Sequence, residues 1–392
     1  MRIKLYSTLL VLFLTASLSA QKLSRTEKKI VSSVEKNNKE AIGFLEKVVN
    51  INSGTLNAKG VEKVGMVFKD AFDDIGFETN WIEMPAEMNR SGHLFAETTG
   101  SKGKKLLLIG HLDTVFEEDS PFQTFEMVND SIAHAPGGND MKGGDVIVLY
   151  ALKRSDIALG FETSTGFNYA TVARRGASGW AVEVEGKRAH SSGIFSEGTG
   201  AGAIFEISRI LHEFYTDVKG EDLLTFNPGV LLGGTFVNYD ELTSKGDAFG
   251  KTNVVAQKAV VKGGLRFISE EQKERARAKM RDIVSNNLPK TSATVSFTDS
   301  YPAMQPTEGN LELLSTLNEV SLDLEQGEVL AYDPGRRGAA DVSFVAEYVD
   351  GLDGLGTMGS NAHTPQETVN LNTIEELTKR TAILIYRLIN TK

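Results

Sequence analysis

Residues 104–144 read KKLLLIGHLDTVFEEDSPFQTFEMVNDSIAHAPGGNDMKGG, and the reading of the whole chain turns on them. Leu106 to Ile109 is an apolar run with the length of a buried strand, and it ends at Gly110-His111-Leu112-Asp113. Side chains alternate along an extended chain, so His111 and Asp113 point to the same side and Asp113 could accept the second ring N–H of His111. That arrangement fixes the tautomer of a metal-bound imidazole. Further on, Gly137-Gly138-Asn139-Asp140-Met141-Lys142-Gly143-Gly144 sets one carboxylate between two glycine pairs, and glycine lets the backbone aim Asp140 at a point in space. The plain alternative is a hydrogen-bonded surface histidine followed by a glycine turn. No Gly-x-x-x-x-Gly-Lys-Ser/Thr occurs, which excludes a phosphate-cradling loop of that type.

Composition narrows the chemistry. A chain of 392 residues with 41% hydrophobic content is long enough for two domains and a substantial core. A net charge of −10 without a basic cluster argues against nucleic acid or an anionic membrane surface as partner. The absence of cysteine removes disulfides, thiol catalysis and thiolate metal sites together. Any metal must therefore sit on His, Asp and Glu, a donor set that suits zinc, with manganese or cobalt as substitutes.

The first twenty residues read as an export signal. Arg2 and Lys4 precede an apolar stretch from Leu9 to Leu14, and Ser17-Leu18-Ser19, followed by Ala20, is a small-x-small cleavage site. The apolar part is shorter than the ~20 residues that span a bilayer. The expectation is bacterial export to the periplasm or beyond, with no membrane attachment after cleavage.

Alternating helices and strands follow. Ser24 with Glu27 is a capping box, and Ile30, Val34, Ala41, Leu45 and Val48 recur at helical spacing. A second helix carries Val61, Val64, Phe68, Phe72 and Ile75 and stops at Gly76. Phe77 to Met84 and His93 to Glu97 read as short strands, and Asp145 to Lys153 as a buried helix. Ile157 to Phe161 is a further apolar strand, delivering Glu162 at its carboxyl end, where ligands gather in open α/β sheets. From Arg175 the texture changes to strands at 177–185, 229–234, 259–268 and 293–299, with helices at 202–214 and 270–287. Helical patterns return at 311–321, 342–347 and 374–388.

His-x-Asp-Thr-Val after an apolar strand, followed by Asp-Met-Lys-Gly-Gly opening a helix, resembles the glutamate carboxypeptidase and aminoacylase family of co-catalytic zinc metallopeptidases. Arg336-Arg337-Gly338-Ala339-Ala340-Asp341 resembles that family's glycine-rich turn, and Gly359-Ser360-Asn361-Ala362-His363-Thr364-Pro365-Gln366-Glu367 its last metal-ligand segment. The resemblance implies an α/β, mixed-sheet catalytic domain over 21–174 and 300–392, after a signal at 1–20, interrupted over 175–299 by a smaller α+β lid and dimerisation domain. It also implies two zinc ions, with His111 and Glu162 holding them from opposite sides, Asp140 as bridge, His363 completing the second ion and Asp113 orienting His111. His190 would reach a partner subunit's active site and stabilise a developing oxyanion. Asn253 and Arg266 would hold a substrate carboxylate or carbonyl, and the Asp140-Met141 peptide would be cis. The substrate class is a small peptide or N-acyl amino acid cleaved at an amide next to a free carboxylate, and the expected assembly is a homodimer.

One departure stands against these matches. The family carries an adjacent acidic pair, a general base and a metal ligand, on a strand between the Asp-Met-Lys-Gly-Gly helix and the strand that precedes Glu162. Here the helix runs into Arg154-Ser155-Asp156 and straight on to Ile157, so that segment has no counterpart. The acidic runs Glu117-Glu118-Asp119 and Asp73-Asp74 are not placed to replace it. The expectation is a hydrolase with its activity impaired, or a catalytically silent homologue that binds a metal or a ligand, or an internally truncated gene product.

Overall fold

The structure, a computed structural model, describes residues 23–98, 105–152, 159–164, 166–241 and 243–390. The export signal, the Arg154-Ser155-Asp156 junction and the first two residues of the strand expected at 157–161 lie outside these residues. Two separate apolar cores organise the rest.

The first core is built on three helices: α1 (Arg25–Val49), α3 (Gly143–Leu152) and α7 (Asn372–Asn390), which pack on one another. Helix α1 starts as its sequence requires: the Ser24 N–H donates to Glu27 Oε2 at 2.7 Å and the Glu27 N–H to Ser24 Oγ at 3.2 Å. Its stripe of Val34, Ala41, Leu45 and Val48 is buried. Helix α3, with sequence GGDVIVLYAL, is buried almost all round, which is why it has no polar face. Helix α2 (Ala58–Asp74) adds Val64 and Phe68 to this core, and α6 (Glu308–Asp323) adds Leu317 and Val320.

The second core belongs to a four-stranded antiparallel sheet in the order Thr291–Tyr301, Gly176–Gly186, Lys258–Phe267, Thr225–Gly234. In strand Gly176–Gly186 the side chains of Trp180, Val182 and Val184 alternate toward the buried face. Helices α4 (Ala203–Glu213) and α5 (Glu270–Ser285) cover that face with Ile207, Ile210, Ala276 and Met280. The chain enters and leaves this unit side by side: Arg174 and Met304 pair antiparallel, exchanging N–H to O bonds of 2.8 and 3.0 Å.

Two local expectations fail, and one element is unforeseen. Leu106 to Ile109 is no continuous strand; among the described residues only Ile109 bridges a neighbour, Gly160, in parallel. The helix expected over 342–347 is a 3-10 turn at Asp341–Phe344 followed by turns, because Phe344, Tyr348 and Val349 face solvent and leave no apolar stripe for an α-helix to bury. A hairpin of Phe236–Asp240 with Lys245–Phe249 was not expected from the sequence.

Candidate metal centre

The pairing of Ile109 with Gly160 positions the first two side chains. The Ile109 N–H donates to Leu159 O at 3.1 Å and the Phe161 N–H to Ile109 O at 3.3 Å, so the two segments run parallel. His111 and Glu162, each two residues further along, therefore emerge at the same end. Gly110 is required here, since a Cβ would lie 2.1 Å from Asp145 Oδ1.

Asp140 arrives from the loop that opens α3. Gly144 packs so closely that a Cβ would lie 2.2 Å from Phe161 O, which holds the loop against the Glu162 segment. The Asp140-Met141 bond is cis. Glu367 Oε1 accepts the backbone N–H groups of Asn139 at 3.0 Å and Asp140 at 3.2 Å, while Lys142 Nζ donates to Val48 O and Ile51 O, both at 3.0 Å. The loop is thus braced by the end of α1 on one side and by the His363 segment on the other.

The carboxylate of Asp140 is shared. Its Oδ1 lies 3.3 Å from His111 Nε2 and its Oδ2 2.6 Å from His363 Nε2. His111 Nδ1 lies 3.1 Å from Asp113 O and 3.4 Å from Asp113 Oδ1, and Asp113 Oδ2 accepts from Thr55 Oγ1 at 2.6 Å. Donor atoms of His111, Asp140 and Glu162 lie within 4.8 Å of one another. The structure thereby gathers Glu162 with His111 on one side of Asp140 and leaves His363 on the other, instead of setting His111 and Glu162 opposite each other. Among the described residues no second group of three donors forms.

The donor set suits a borderline cation. Two ligands on one zinc, each at ~2.0–2.2 Å, stand ~3–3.5 Å apart, so donors already within 4.8 Å need only small side-chain shifts to close on an ion. The charges of the metal-free cluster point the same way. Burial disfavours the His111 imidazolium, but the hydrogen bonds it donates to Asp113 and Asp140 outweigh burial and raise the group well above its ordinary value. Burial likewise pushes Asp113 and Asp140 up, yet their bonds to the same imidazole leave both below the usual carboxylate range. Burial, with Asp353 nearby, pushes Glu162 up to about 7.

Because a metal-binding imidazole must be neutral, zinc uptake near neutral pH is expected to displace the His111 proton. Zinc affinity then rises with pH, and calorimetry in two buffers of different ionisation enthalpy should show net proton release; identical heats would contradict it. In the metal-free chain the raised His111 value is also a stability contribution, complete below the ordinary histidine value and lost as pH rises through the raised one.

The remaining anticipated residues stand elsewhere. His190 and Asn253 are exposed and adjacent on one edge of the second unit: His190 bridges Val254, and the Ser191 N–H donates to Asn253 O at 2.9 Å. His190 Nδ1 lies 2.8 Å from Ser192 Oγ. Arg266 is exposed on strand Lys258–Phe267, opposite Ala177 and Thr225. Among the described residues no hydrogen bond joins these three to the metal cluster.

Sequence reasoning gave no role to Glu367, although it lies four residues after His363 and shares its segment. Glu367→Ala removes the acceptor for two N–H groups of the metal loop. Metal affinity is expected to fall by roughly 10–100-fold, as with other outer partners of a metal site, while far-UV circular dichroism stays unchanged. Competition with a chromophoric chelator measures it.

Comparison with known proteins adds independent support. A family model, Peptidase family M20/M25/M40, matches residues 107–387. Carboxypeptidase G2 of Pseudomonas sp. (strain RS-16) is 24% identical over 377 residues, covering 85% of each chain. Aminopeptidase PepT of Bacillus cereus ATCC 10987 superposes with a TM-score of 0.72 at 16% identity, over 90% of this chain and 99% of its own. The YXEP protein of Bacillus subtilis, described as a dinuclear metal-binding peptidase, gives 0.62 at 12% identity over 91% of this chain and 100% of its own.

Proposed function

Because the chain belongs to Peptidase family M20/M25/M40, we propose that it is a zinc-dependent amidohydrolase that cleaves an amide next to a free carboxylate in a small peptide or N-acyl amino acid. The observation that carries this reading is the convergence of His111, Asp140, Glu162 and His363 from four separated segments onto one shared carboxylate. Bound zinc would polarise the scissile carbonyl and lower the pKa of the attacking water. His111, Asp140 and Glu162 would hold one ion, and Asp140 with His363 a second. With metal bound, Asp113 would keep the His111 proton on Nδ1 and leave Nε2 for the ion, and Thr55 holds Asp113 in place.

The residue that takes the proton from water is the weak point of this centre. Glu162 and Asp140 are committed to metal, and the acidic pair expected between α3 and Glu162 has no counterpart in the sequence. The side of Asp140 facing His363 is also short of a donor. General acid–base help contributes on the order of 10²–10⁴ in rate, so turnover well below that of complete relatives is part of the reading. The same shortage favours a second reading, a silent homologue that holds a single metal.

Further elements of the proposal are export through the Met1–Ala20 signal, and a homodimer in which residues 175–299 act as lid and interface. His190 of one subunit would then serve the partner's centre, with Asn253 and Arg266 holding the substrate. Among the described residues no helix is long and apolar enough to cross a membrane.

The deciding measurement is zinc content together with release of free amino acid from acyl-glutamate and dipeptide substrates. Turnover abolished by His111→Ala supports the hydrolase; a protein that retains at most one metal and stays inert is the silent homologue. His190→Ala is expected to lose turnover with metal content intact, and unchanged rates would remove His190 from the mechanism.

A further inference from the structure

Where the two units meet, two guanidinium groups, Arg174 and Arg337, lie near one fully buried carboxylate, Asp353. Arg174, 3% exposed, donates through Nε to Asp353 at 2.5 Å and through Nη1 to Gly338 O at 3.1 Å; its Nη2 is buried with no acceptor. Arg337 lies nearby, half-buried, on the loop after the 3-10 turn Pro334–Arg336. Its Nη2 donates to Thr163 O at 3.0 Å, and its Nε is buried with no acceptor. Among the described residues its Nη1 makes no hydrogen bond and, unlike Nε, is not sealed from solvent. Among the described residues no carboxylate pairs with Arg337, because the nearby buried one, Asp353, is taken by Arg174.

The electrostatics agree with this geometry. Burial lowers the Arg337 guanidinium from its ordinary value and the Arg174 charge lowers it further, while Asp353 and Glu162 act the other way. Gly354 packs close against the Nη2 side of the group: a Cβ there would lie 3.1 Å from Thr171 Oγ1 and 3.3 Å from Arg337 Nη2.

A partly buried cation without a partner is costly unless negative charge reaches it through space. Here that charge comes in part from Glu162, whose next residue, Thr163, supplies the carbonyl that Arg337 holds. Glu162 is also a member of the metal group, and a cation bound there takes up its charge. A loaded cluster therefore leaves Arg337 as uncompensated positive charge beside the centre.

We propose that Arg337 is a specificity-determining anchor for a carboxylate of the ligand, received on the Thr163 side of Glu162 and made available when the cluster holds metal. The guanidinium suits a carboxylate, which it can meet through Nη1. The inference rests on the hydrolase reading for what happens to the ligand, and the binding itself can be measured without turnover.

The test is calorimetric titration of the zinc-loaded full chain with glutarate and, separately, with acetate. One carboxylate suffices for the metals; on this proposal a second, which only the dicarboxylate carries, meets Arg337. Wild type is expected to bind glutarate about tenfold or more tightly than acetate, the order of one charged hydrogen-bonded pair. In Arg337→Gln, with zinc content and thermal unfolding matching wild type, that preference should vanish; an unchanged preference overturns the proposal. If Arg337→Gln does not fold, Arg337→Lys should reduce the preference roughly threefold or more, since a point charge replaces the planar donor set, and no reduction overturns it. Metal-free wild type should lose the preference, and glutarate binding as tight as in the loaded form overturns the metal dependence. An Arg337-dependent preference in a protein that cleaves no amide leaves the anchor standing and the hydrolase reading refuted. Hydrolysis with a preference independent of Arg337 refutes the anchor alone.

Discussion

Asp140→Asn is expected to empty the metal centre while leaving the fold in place. The substitution keeps the shape of the side chain and removes the one anion that faces both His111 and His363. Loss of an outer partner alone typically weakens metal binding 10–100-fold, so loss of the shared ligand should exceed about a hundredfold, with turnover falling in parallel. Metal analysis after dialysis against a weak chelator provides the first readout. A second is independent of metal: Asp140 is one of the groups that raise the His111 pKa, so in the metal-free variant that imidazole should titrate at lower pH than in wild type. An NMR titration giving the same value in both proteins would contradict the placement of Asp140 beside His111.

Asp353→Ala should produce the largest loss of stability. Asp353 is 0% exposed and is the partner of Arg174 Nε; its Oδ1 also accepts the Gly354 N–H at 2.6 Å. Removing one member of a buried pair leaves the other as uncompensated charge and costs about 3–5 kcal/mol. The cost falls at a junction, since the Asp353 backbone exchanges 2.9 Å hydrogen bonds with Thr171, three residues before Arg174. Arg337 would lose a favourable field at the same time. Chemical denaturation of the metal-loaded protein measures the effect, and a change below about 1 kcal/mol would show that solvent reaches Arg174 readily.

The residues that carry chemistry were legible because their motifs are local. Gly110-His111-Leu112-Asp113 and Asp140-Met141-Lys142-Gly143-Gly144 put the donor and the glycines it needs within a few positions, so residue type and spacing already describe a loop that aims a carboxylate. The helices were legible for a related reason: α1 shows its capping box and stripe, and the run GGDVIVLYAL has no polar face to place in water. Contacts between distant segments were not. Arg174 and Asp353 are separated by 179 positions, and Glu367 reaches Asn139 across 228, with nothing in either neighbourhood to mark the pairing.

Strands were legible only where burial alternates. The strand Gly176–Gly186 declares itself through Trp180, Val182 and Val184. The hairpin Phe236–Asp240 with Lys245–Phe249 has no buried residue and so left no periodic signal. Leu106 to Ile109 carried the opposite error. Its composition is that of a core strand, but composition cannot say whether a neighbour is present to pair with, and only Ile109 finds one.

The pairing of Arg174 with Met304 has a consequence for how the gene can be cut. Partners in an antiparallel bridge stand only ~4.5–5.5 Å apart at Cα, a gap that a two-residue reverse turn closes. Excising residues 175–303 and splicing such a turn in their place would leave a miniature protein that still contains His111, Asp140, Glu162 and His363. Metal capture and any second-unit contribution to ligand choice could then be assigned to separate polypeptides.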